Sequence, residues 1–77
     1  MKFKAGDHVH GTAGHDHMFT GSELIDAVVL DVNRMTGEVL IQIVEHARYP
    51  REEGAILSED EKNLELIEKK GDQSHDR

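Results

Sequence analysis

Apolar residues recur at every second position in two stretches of the chain. In "AVVLDVN", Val28, Leu30 and Val32 share one side, opposite Ala27, Val29 and Asp31. In "EVLIQIVE", Val39, Ile41 and Ile43 share a side, opposite Leu40, Gln42 and Val44. Period-two alternation carried by β-branched residues predicts strands, because successive side chains of an extended chain point to opposite faces. Between the two lies "NRMTGE". Asn33 suits the start of a turn, and Gly37 can take the positive φ of a type I turn closed by a bulge, so the two strands form a hairpin.

The same rhythm appears upstream in "FKAGDHVHG", which predicts Phe3, Ala5 and Val9 inward, a turn at Gly6 and Asp7, and His8 and His10 together on one outward face. A glycine-rich loop follows over residues 11–22, with Met18 and Phe19 expected to fold back as a lid. Downstream, "GAIL" (54–57) predicts a short strand, and "SEDEKN" a one-turn helical connector with Ser58 as N-cap and Glu61 at the reciprocal position. "LELIE" predicts a last strand with Leu64 and Leu66 inward. The competing reading is a helix over residues 58–70, with Leu57, Leu64, Leu66 and Ile67 as a ragged stripe. The expected organisation is one domain over residues 1–70 and a frayed tail over 71–77, where "GDQSHDR" has nothing to bury.

Composition narrows the class. With 77 residues the core is small, and with no cysteine there is neither a disulfide framework nor a thiolate site. The N-terminal "MKFKAGD" lacks the apolar stretch of a signal peptide, and no apolar run reaches the length of a membrane span, so the expectation is a cytoplasmic protein. Nine Lys and Arg against sixteen Asp and Glu give a formal charge of -7. Nucleic-acid phosphates are repelled by such a chain, whereas a protein partner with a basic surface is attracted.

The order of five short strands, a long first loop, a tight central hairpin and a one-turn helix before the last strand resembles a small SH3-like barrel. The segments that carry the resemblance are "FKAGDHVHG", "AVVLDVN", "TGEVLIQIVE" and "NLELIEKK", spanning residues 3–69. The nearest flavour is the KOW/Tudor group and the stand-alone barrels of bacteria and their phages. The resemblance implies an all-β, five-stranded barrel that binds through its loops and does not catalyse, monomeric or weakly dimeric, with an accessory role against a host factor. A KOW/Tudor-like association with nucleic acid is an alternative that it also implies. The usual ligands of such barrels need aromatic grooves or cages, and this chain has two Phe, one Tyr and no Trp.

Two groups of residues carry candidate chemistry. His8, His10, His15 and His17 form two His-x-His pairs, able to offer imidazoles to a Zn²⁺ ion, with Asp7 and Asp16 as supporting carboxylates. The competing readings are a polar outer face beside a loop and, since histidine gains charge just below neutrality, a pH sensor. In "EHARYPREEG", Tyr49 lies between Arg48 and Arg51, residue types enriched at protein contacts. No nucleophile is paired with a base, and the acidic runs Glu52-Glu53 and Glu59-Asp60-Glu61 read as solvated charge, so no enzyme is expected.

Overall fold

The computed structural model describes residues 3–12 and 21–67. Five antiparallel strands form one sheet: β1 (His8–Gly11), β2 (Leu24–Asn33), β3 (Glu38–His46), β4 (Ile56–Asp60) and β5 (Leu64–Leu66), in the order β4-β3-β2-β1-β5. The helical content of these residues is two 3₁₀ turns, Pro50–Glu52 and Glu61–Asn63. The all-β reading, the five strands and the one-turn connector before the last strand are therefore observed, and the helix over 58–70 is absent through residue 67. The lid residues Met18 and Phe19, the second histidine pair and the tail at 71–77 lie outside the described residues.

The central hairpin forms as its sequence dictates. Asn33 pairs with Glu38 across a four-residue loop. The Asn33 carboxamide oxygen accepts from the Met35 and Thr36 amides at 3.0 and 3.2 Å, and Gly37, at φ 80°, donates its amide to the Asn33 carbonyl at 2.8 Å. The side chain thus satisfies amides that the turn removes from the ladder.

One core lies on one face of the sheet, built from Phe3, Val9, Leu24, Ala27, Val29, Val39, Ile41, Ile43 and Leu64, with Val32, Ala55 and Leu57 packed against it. Strand β3 keeps the expected phase, but β2 does not. Val29 pairs with Ile41 and Val32 with Val39, all toward the core, so both Leu30 and Asp31 turn outward opposite Leu40. A β-bulge inserts one extra residue there and shifts the alternation by one. Hence Val32 shares the face of Ala27 and Val29, not that of Leu30. A second irregularity places Ile25 and Asp26 outward between Leu24 and Ala27, with Val44 and Glu45 opposite between Ile43 and His46.

Three further expectations are corrected. Ala5 is exposed, because the turn closed by the Asp7 amide on the Lys4 carbonyl breaks the extended chain before β1 begins. Ser58 is no N-cap. It pairs with Leu40 inside β4, which starts two residues later than "GAIL" predicts, and the cap is Asp60, whose carboxylate accepts from the Lys62 amide at 3.0 Å. Leu66 pairs with Val9 yet stays 48% exposed, since among the described residues β5 is an edge strand of the sheet.

The ends of the first loop meet at two glycines. A Cβ built on Gly11 would overlap the Gly21 carbonyl oxygen and sit 2.5 and 2.7 Å from the Gly21 N and C atoms. Two backbones approach there more closely than any side chain allows.

Candidate functional site

The outer face of the sheet exposes several large apolar side chains. Pairing aligns Ile56, Gln42, Val28 and His8 in one row across β4, β3, β2 and β1. The next row holds Ser58, Leu40 and Asp31, with the bulged Leu30 beside it; the row at the hairpin end holds Asp60, Glu38 and Asn33. Ile25, Leu30, Leu40, Val44 and Ile56 are all between 36% and 57% exposed. A shallow depression of about 260 Å³ opens between Asp31, Val32, Asn33, Glu38, Leu40 and Ser58.

Charge on the sheet has one sign. The strands carry Asp26, Asp31, Glu38, Glu45, Glu59, Asp60 and Glu65, and among the described residues no Lys or Arg falls inside a strand. The cations Lys4, Arg34, Arg48, Arg51 and Lys62 sit in connections and turns. Glu59 is the buried exception: its carboxylate accepts from the Asp60 amide at 3.2 Å and the Asn63 carboxamide at 2.7 Å, tying β4 to the second 3₁₀ turn.

His8 and His10 share the outward face, as their spacing predicts. The Nδ1 of His8 lies 2.7 Å from the Asp26 carboxylate, and that of His10 lies 2.8 Å from the Gly11 carbonyl oxygen. The Nε2 of His10 is 3.7 Å from a carboxylate oxygen of Glu65, its cross-strand partner. Among the described residues, no three His, Cys, Asp or Glu side chains are already gathered to hold an ion.

The structure brings Arg48 and Tyr49 together through a residue that the sequence reading passed over. His46 ends β3 on the inner face, opposite Leu24, and is 3% exposed. Its Nδ1 accepts from the backbone amides of Arg48 and Tyr49 at 3.1 and 3.0 Å, so the ring proton resides on Nε2. The Tyr49 ring packs against the imidazole at 5.2 Å, and the Arg48 guanidinium lies 5.6 Å over the Tyr49 ring and 3.8 Å from Glu23. Tyr49 is half-buried, while Arg51 is exposed in the following 3₁₀ turn. The signal in the sequence was a histidine at a strand end, three residues before the tyrosine.

His46→Phe keeps a ring but leaves both amides without an acceptor, at about 1–3 kcal/mol for each unsatisfied group. A loss of about 2 kcal/mol is expected in urea denaturation, together with a change in the emission of Tyr49, the one tyrosine of a chain without tryptophan. Unchanged stability would show that the two amides find other acceptors.

No protein-family model, curated protein or solved structure matches the chain. Among the described residues, no helix is long and apolar enough to cross a membrane.

Proposed function

We propose that the chain is a small, non-catalytic binding module of the SH3-like barrel kind, which holds a basic segment of another protein on the outer face of β2, β3 and β4. One observation carries the reading: exposed leucine, isoleucine and valine side chains stand among strand carboxylates, with no Lys or Arg in any strand of the described residues. Apolar side chains of a partner gain about 25 cal/mol for each Å² they bury there, and its Lys and Arg meet Asp31, Glu38 and Asp60 at the rim. The same carboxylates repel nucleic-acid phosphates. The Arg48–Tyr49–Arg51 loop is a secondary contact in this proposal, since part of the Tyr49 surface is already covered by His46. In this proposal, as the resemblance to stand-alone bacterial and phage barrels implies, the partner is a host factor in the cytoplasm, met by a monomer or weak dimer.

Leu40→Lys places a cation at the centre of the face without touching the core. Recovery of a partner from bacterial lysate is expected to fall at least tenfold for Leu40→Lys and less than threefold for Tyr49→Ala, and the wild-type complex is expected to weaken with salt. Equal recovery by Leu40→Lys and wild type removes the outer face from the proposal.

A further inference from the structure

We infer that His8 and His10 form a two-imidazole site that a divalent transition ion of the Zn²⁺ class assembles on binding, independent of any protein partner. The argument rests on which ring nitrogen each histidine leaves free. The Gly11 carbonyl can only accept a hydrogen bond, and so can the ionised Asp26 carboxylate. At 2.8 and 2.7 Å, the Nδ1 atoms of His10 and His8 must therefore donate, which leaves the Nε2 atoms to carry the lone pairs of the neutral rings. Metal-bound histidines are held in this way, their second nitrogen donating to a carboxylate or backbone carbonyl that fixes tautomer and orientation. A histidine on a merely solvated face needs no such partner, and here both have one.

The strand supplies the spacing. Two positions along an extended chain put the side chains on one face about 6.6 Å apart. A tetrahedral ion with bonds of about 2.0–2.1 Å needs its donor nitrogens about 3.3 Å apart, so the rings must lean toward each other. Glu65 stands across from His10, 3.7 Å from its Nε2, and rotation of its exposed side chain adds an oxygen donor; water completes the shell. Imidazole with one carboxylate suits Zn²⁺ over Mg²⁺ or Ca²⁺, which prefer oxygen donors alone. Asp26 makes no bond to the ion in this arrangement. It positions His8.

Zn²⁺ titrated into the full chain, with the histidine ring nitrogens followed by NMR, tests the site. The Nε2 signals of His8 and His10 are expected to move together and saturate at one equivalent. His8→Gln and His10→Gln are each expected to weaken binding at least tenfold. Asp26→Ala is expected to weaken it 10- to 100-fold while His10 still responds. A His15→Gln, His17→Gln double variant is expected to keep the affinity within about threefold. The inference is overturned if binding survives His8→Gln, is unmoved by Asp26→Ala, or disappears in the double variant. Millimolar broadening of all six histidines alike, an adventitious ion only, overturns it as well. None of these outcomes touches the protein-binding proposal, which Leu40→Lys tests separately.

Discussion

Gly11→Ala is expected to cost the domain most of its stability. Gly11 is paired with Leu64 in the β1–β5 ladder, and its missing side chain is where the Gly21 backbone passes. A methyl group there overlaps a carbonyl oxygen and stands 2.5 Å from the Gly21 nitrogen. Nothing in the contact can rotate away, because every obstructing atom is main chain. Either β1 or the chain at Gly21 must move, and β1 holds β5 to the rest of the sheet. Ordinary overpacking costs about 1–3 kcal/mol, and this case should exceed it, against a total of about 5–15 kcal/mol for a typical domain. Gly6 and Gly54 are the controls: both have positive φ, at 96° and 95°, yet a Cβ at either meets open space. Alanine at these positions should cost about 1–2 kcal/mol, the left-handed penalty alone. Urea titrations followed by circular dichroism compare the three. A Gly11→Ala protein within 1 kcal/mol of wild type would mean that the two backbones are not in contact.

The second large effect separates the two faces of β3. Ile41 is fully buried between Val29 of β2 and Leu57 of β4, so Ile41→Ala should lose about 2–5 kcal/mol through the lost transfer energy and the cavity left behind. Leu40, one residue earlier and outward, should lose less than about 1 kcal/mol on the same substitution, in the range of surface changes. Midpoints of urea denaturation measure both. A Leu40 variant as damaged as the Ile41 variant would reverse the inside and outside of the sheet, and with it the proposed partner surface.

The contrast between adjacent strands shows what the sequence could convey. Up to Ile43, strand β3 alternates without interruption, and its inward set of Val39, Ile41 and Ile43 was readable from period two. Strand β2 contains "AVVL", in which consecutive positions are apolar and either phase is self-consistent. The bulge at Leu30 and Asp31 then makes Val29 and Val32 inward at a spacing of three, which no simple alternation reveals. His46 was missed for the same reason: the irregularity at Val44 and Glu45 returns it to the core side. In β4, "SED" carries the chemistry of a cap, yet an edge strand tolerates outward Ser58 and Asp60 while Glu59 finds donors in the Asp60 amide and Asn63.

The candidate sites divide in the same way. That His8 and His10 share a face follows from parity along one strand. Their partners Asp26 and Glu65 come from β2 and β5, 18 and 55 positions further along the chain, and only the fold brings them near. Leu30, Leu40 and Ile56 were visible as apolar residues, but alternation does not say which of two apolar faces the protein itself covers.

The placement of the cations also has a practical side. Trypsin cuts after Lys and Arg, and the exposed residues it can use among those described are Lys4 ahead of β1, Arg34 between β2 and β3, Arg48 and Arg51 between β3 and β4, and Lys62 between β4 and β5, all of them outside the strands. Limited digestion would therefore sample the opening of the β2–β3, β3–β4 and β4–β5 connections, leaving each strand whole and β1 joined to β2. Coupling at Lys4 or Lys62, the lysines among the described residues, would likewise anchor the molecule outside its strands and leave the ribbon of carboxylates and leucines free to meet whatever it binds.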